Sequence, residues 1–139
     1  MKVEYFDLRV KRALVSGGAS GIGASIVEHL CQQGVEVYFF DINKNEAKKT
    51  INKIKKNKLK IPTFVECNIK NIKKYKSSIL NIIKKQGPID ILVNNASNDQ
   101  RHSLEKITEK YWDDRMAINL KHYLFAIQAV KKSMIKNKG

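Results

Sequence analysis

Four short apolar runs recur along the chain at near-even intervals: Arg12–Ser16, Val35–Asp41, Ile61–Glu66 and Ile89–Asn94. Between them the apolar residues change period. Ile22, Ile26 and Leu30 fall at helical spacing, as do Ala47, Ile51 and Ile54, and then Ile72, Tyr75, Ile79 and Ile82. Strands that are apolar at most positions need cover on both faces, and intervening amphipathic helices supply it. The order βαβαβαβ therefore predicts an α/β, Rossmann-like fold: a doubly wound parallel sheet with right-handed crossovers. Gly34 after the first helix and Gly87-Pro88 after the third read as helix stops. A long helix is expected from near Thr108 past Ile135, with Trp112, Met116, Leu120, Tyr123, Ile127, Val130 and Met134 along one apolar stripe. Gly139 would cap it and lead into a further strand. Residues 1–139 thus read as one domain, truncated after its fourth strand and a long helix.

A chain of 139 residues and 15.9 kDa is long enough for one core and too short for two full domains. With 42% hydrophobic residues, 29% charged, 7 Gly and 2 Pro, collagen-like and wholly disordered classes are excluded. Cys31 and Cys67 form no CxxC pair, which points to neither a metal knuckle nor a disulfide framework and suits a reducing compartment. Met1–Arg12 mixes charged with apolar residues and holds no signal-peptide core. The longest apolar run, Tyr123–Ile127, falls far short of the roughly 18 residues of a membrane span. A cytoplasmic protein without a membrane segment is expected.

The formal net charge of +14 raises the question of an anionic partner. Against nucleic acid stands the make-up of that charge: 23 Lys and only 4 Arg, the lysines lying mostly between Lys44 and Lys85 among Asn and Ile rather than among aromatic residues. A solvated lysine face on two helices is the simpler reading.

The first strand runs straight into Ser16-Gly17-Gly18-Ala19-Ser20-Gly21-Ile22-Gly23, where the first helix opens. In that place Gly17 allows a tight turn, Gly21 admits the backbone to a pyrophosphate, and Gly23 permits close helix packing, while the helix N-terminus offers N–H groups to negative charge. The same glycines also suit packing alone. Asp41 ends the second strand 18 residues beyond Gly23, close to the spacing of a carboxylate that binds adenosine ribose hydroxyls. It would repel the 2'-phosphate of NADP, and no Arg stands in the turn or at Ile42-Asn43, so NAD is the expected cofactor in preference to NADP. Lys44 lies near enough to soften that choice, and Asp41 has the alternative role of capping the next helix.

The spacing GxxxGxG, with the motifs that follow it, resembles the short-chain dehydrogenases/reductases. Their TGxxxGIG turn corresponds to Ser16–Gly23, the acidic residue after strand two to Asp41, the acidic-apolar pair after strand three to Asn68-Ile69, and NNAG to Asn94-Asn95-Ala96-Ser97. The Asn of the following helix corresponds to Asn119. The resemblance implies cofactor binding by Ser16, Gly17, Ser20, Gly21, Ile22, Gly23, Asp41, Asn68, Ile69, Asn95 and Ala96. It implies for Asn119 a catalytic part, holding a water in the proton relay; an ordinary helix–helix hydrogen bond is the alternative. Asn68 in place of Asp keeps an acceptor for the adenine amine, and Ser97 in place of Gly changes the loop beside the nicotinamide.

In that family hydride transfer also uses a Ser and a YxxxK pair whose Lys lowers the phenol from about 10. None of the tyrosines, Tyr5, Tyr38, Tyr75, Tyr111 or Tyr123, is followed four residues on by Lys. Tyr111 and Arg115 imitate the spacing, but the guanidinium is a permanent cation and the pair precedes Asn119. The chain therefore reads as the cofactor-binding half of a longer enzyme and is expected to be inactive by itself; a noncatalytic NAD-binding or nucleic-acid-binding module is the rival. Asn98–Leu104, Tyr111–Met116 and Asn119–His122 resemble members acting on sugars, the aldose 1-dehydrogenases, where polar Asn98, Asp99, Gln100 and Arg101 would meet a polyol and the long helix a partner subunit. His29, His102 and His122 lack metal-ligand spacing, and no metal is expected.

Overall fold

The computed structural model describes residues 3–137. The strands are β1 (Arg12–Ser16), β2 (Glu36–Asp41), β3 (Thr63–Glu66) and β4 (Ile91–Asn94), all parallel in the order β3-β2-β1-β4. The helices are α1 (Gly21–Gln32), α2 (Lys44–Lys56), α3 (Ile72–Gln86), α4 (Glu109–Met116) and α5 (His122–Lys136). The sheet order and the alternation of strand and helix are those of a Rossmann-like, doubly wound fold. Pro62 has no N–H to give, and β3 begins just after it.

Alternate residues of β1 and β2 face opposite layers. Ala13, Val15, Val37 and Phe39 pack with Val27 and Cys31 of α1 and Ala47 and Ile54 of α2. Leu14, Tyr38 and Phe40 pack with Tyr75, Ile79 and Ile82 of α3 and Ala126, Ala129 and Val130 of α5. Burial of each full-size side chain such as Phe39 or Phe40 contributes roughly 1.5–3 kcal/mol, so both layers are needed. Gly34 and Gly87 follow α1 and α3 with φ of +80° and +100°, the conformation that stops a helix without Cβ strain. The Gly139 cap lies outside the described residues.

Two helical faces differ from the sequence expectation. In α1 the buried residues are Gly23, Val27 and Cys31; of the expected face Ile26 and Leu30 pack partly buried against the core, while Ile22 is 76% exposed. Only glycine fits where the helix meets the β1 turn, so the inward face runs through Gly23. The long helix is continuous from α4 to α5 but contains a π turn at Ala117–Lys121. Beyond it the buried stripe is His122, Ala126, Ala129 and Val130, and Trp112, Met116, Leu120 and Ile127 are exposed. Small alanines let α5 lie close against α3 and the sheet, and the larger apolar residues are left on the outer face.

Candidate functional site

At the C-terminal ends of the strands the turn after β1 folds over the sheet. The Gly17 and Gly18 amides donate to the Phe40 carbonyl at 2.7 and 3.3 Å, tying the turn to β2. A Cβ on Gly23 would stand 1.9 Å from the Gly17 carbonyl oxygen, so α1 can approach the turn only with glycine there. Gly21 differs: its φ is +54°, yet a Cβ would meet nothing within 4 Å. Its bare backbone faces open space, as close approach of a ligand requires.

That space is a cleft of about 810 Å3, lined by Gly17, Ser20, Gly21, Ile22, Gly23, Asp41, Asn68, Ile69, Asn95 and Ala96 among others. The structure thus brings together every expected cofactor residue except Ser16. Ser16 is 1% exposed and lies behind the cleft wall, where its hydroxyl accepts from the Asn95 and Ala96 amides at 3.0 and 3.1 Å. The Asn95 side chain returns the tie, donating to the Ser16 and Gly17 carbonyls at 3.1 and 3.0 Å.

The start of α1 offers its amides to the cleft. Ser20 makes no side-chain hydrogen bond to the first turn, whereas Asn43, Asn71 and Thr108 accept from the first turns of α2, α3 and α4. Uncapped N–H groups at a helix N-terminus favour an anion. Asp41 is not the cap of α2, a role Asn43 fills; its carboxylate accepts from Ala19 at 3.0 Å, Ile42 at 2.8 Å and Asn43 at 3.0 Å. These bonds fix the carboxylate at the cleft wall. Lys44 is paired with Glu66, the register neighbour of Asp41 on β3, at 2.8 Å. The Asn68 side-chain oxygen accepts from the Lys70 amide at 3.0 Å and keeps a second lone pair.

Asn119 stands in the π turn, and both ends of its amide bind the backbone of Asn98: Oδ1 accepts from Asn98 N at 2.8 Å and Nδ2 donates to Asn98 O at 3.0 Å. Its partner is a loop, not another helix. The Tyr111 hydroxyl donates to the Gln100 carbonyl, holding the same loop farther out. Ser97, Asn98 and Asp99 line the cleft. Gln100 and Arg101 do not.

Arg115, which with Tyr111 only imitates the catalytic spacing in sequence, is a cleft residue. Its Nε and Nη1 are buried without a protein partner, and its guanidinium lies 5.0 Å from the Tyr111 ring. Its place one helical turn before Asn119 was the available signal. Asn94 Oδ1, at the end of β4, is likewise buried without a partner. Among the described residues no cluster of His, Cys, Asp or Glu could hold a metal ion.

The cleft fits a dinucleotide on its own geometry: an uncapped helix start for the pyrophosphate, a bare Gly21 backbone, and a held carboxylate for a ribose. The family model for short chain dehydrogenases matches residues 11–139. The chain belongs to the short-chain dehydrogenase family. It is 38% identical to D-xylose 1-dehydrogenase of Caulobacter vibrioides over 97% of this chain and 52% of that protein. It is 35% identical to a protein of Rhizobium meliloti named probable galactose dehydrogenase, over 98% of this chain and 53% of the relative. The chain spans about half the length of these curated relatives. A blue fluorescent protein from a metagenomic library, solved with NADPH, superposes with a TM-score of 0.82 at 29% identity, covering 91% of this chain and 52% of its own. No helix among the described residues is long and apolar enough to cross a membrane.

Proposed function

We propose that residues 1–139 form the NAD-binding domain of an oxidoreductase that acts on a sugar or another secondary alcohol. The observation that carries the choice of NAD is Asp41. Three backbone amides orient its carboxylate at the cleft wall, and the one nearby lysine in sequence, Lys44, is engaged by Glu66. A fixed negative charge there accepts hydrogen bonds from ribose hydroxyls and repels a 2'-phosphate. The relatives' names, for xylose and galactose, support a sugar as substrate, and the polar Asn98 and Asp99 at the cleft suit a polyol.

A bound nicotinamide supplies the hydride acceptor. This chain's residues bind and orient it: α1 amides at the phosphates, Asp41 at the ribose, Asn68 and Ile69 at the adenine, and Asn95-Ala96 at the far end. Asn119 contributes to catalysis by fixing the loop at Asn98 and by its place in a π turn, a local distortion frequent at functional sites. No Tyr here is followed four residues on by Lys, so these residues bind the cofactor and do not turn it over. Cys31 and Cys67, both buried as free thiols, suit the reducing cytoplasm.

Thermal unfolding with millimolar NAD or NADP tests this. NAD should raise Tm, NADP should raise it less, and Asp41→Ala should abolish the NAD shift and narrow the difference between the two. A folded chain indifferent to both nucleotides overturns the reading.

A further inference from the structure

The long helix carries a histidine into the core. His122 is 0% exposed. Its Nδ1 lies 2.5 Å from the Ile118 carbonyl, which can only accept, so Nδ1 carries the ring proton. Nε2 is then an acceptor, and the Ser16 hydroxyl stands 3.2 Å from it. The Ser16 oxygen has one proton to give and two lone pairs to fill. Both lone pairs are taken by the Asn95 and Ala96 amides. The proton goes to His122, whose bare Nε2 needs a donor; the Val93 carbonyl lies farther off at 3.5 Å, and the Tyr75 hydroxyl also reaches Ser16. Around the imidazole stand Tyr75 of α3, edge-on with ring centres 6.0 Å apart and its phenol pushed up by burial, and Tyr123 of its own helix at 4.4 Å. Burial holds the ring's pKa below its ordinary value, which keeps it neutral.

We propose that His122 is a positioning residue for the cleft: as a neutral, Nδ1-protonated imidazole it takes the Ser16 proton and so aims the Ser16 lone pairs at Asn95 and Ala96, setting where these two meet the dinucleotide. This rests on the dinucleotide reading above. It also gives α5 a hold on a cleft that none of its own residues lines. Replacing His122 by an apolar residue leaves the Ser16 hydroxyl to turn toward Val93 or Tyr75, and its lone pairs turn with it.

The test uses the 139-residue chain labelled with 15N. In the wild type, long-range 1H–15N spectra should show Nδ1 protonated and Nε2 bare at neutral pH; an Nε2–H or charged ring overturns the proposal. In His122→Leu the Asn95 and Ala96 amide resonances should move while those of β3 stay, and NAD should bind about three- to tenfold more weakly. His122→Gln, whose Oε1 can take the Ser16 proton, should return both toward wild type. A folded His122→Leu with unmoved amides and unchanged NAD binding overturns the inference. If that variant does not fold, His122→Gln decides: retained amide positions support the inference and displaced ones overturn it. A wild-type chain that ignores NAD and NADP overturns the proposed function instead, and the tautomer and amide positions still judge the hold of His122 on Asn95 and Ala96.

Discussion

At Gly23 one missing carbon decides whether α1 can meet the β1 turn. A Cβ there would lie 1.9 Å from the Gly17 carbonyl oxygen and 2.6 Å from Asn95 Nδ2, so the backbone itself must give way. Gly23→Ala should cost about 1–3 kcal/mol, measured by urea unfolding, and should weaken NAD binding because Gly17 and Asn95 both line the cleft. His122 sets a pH dependence. Burial lowers its folded pKa from the ordinary 6.5, and the hydrogen bond to Ile118 offsets part of this. The unfolded chain therefore takes up a proton near 6.5 that the folded chain refuses until lower pH. The stability is complete above 6.5 and is lost as pH falls from there through the folded value. Tm measured across this window should decline in the wild type and decline less in His122→Gln.

The helix faces set how closely the elements meet. Ala126 and Ala129 face the α3 layer, both buried, where a larger side chain would crowd the packed core. Ala126→Leu should destabilise by about 1–3 kcal/mol by the same urea measurement, more than Ile127→Ala on the exposed face of the same helix. These elements also show what the sequence could and could not reveal. The strands were legible because Leu14, Val15, Phe39 and Phe40 are apolar toward both layers, which a parallel sheet demands. The cleft was legible because glycine spacing and Asp41 are local to two strand ends. The inward face of α5 was legible only at Val130 and Met134; His122, Ala126 and Ala129 were not, because size misleads there: packing selected Ala over Leu and Ile, and the π turn shifted the phase. Ser16 and His122 are 106 residues apart, and no local pattern announces that they meet. Arg115 was visible in sequence, but nothing local announces that its Nε and Nη1 are buried without a partner at the cleft.

Over the whole molecule, the exposed apolar face and the net charge oppose each other. Trp112, Leu120, Leu124 and Ile127 lie exposed along α4, the π turn and α5, a continuous run of the kind that soluble chains usually cover. We propose that a second copy of this chain covers it. Yet each copy carries a formal charge of +14, and two such copies repel. Salt shortens that repulsion to about 8 Å at physiological ionic strength and leaves apolar burial intact. Self-association should therefore strengthen as salt is added, seen in sedimentation velocity as a monomer at low ionic strength and a growing dimer fraction at higher. Leu124→Glu should keep the chain monomeric at both, with NAD binding unchanged because Leu124 does not line the cleft. The sign of the salt effect also separates this surface from nucleic-acid binding, which would weaken as salt rises because it depends on counterion release.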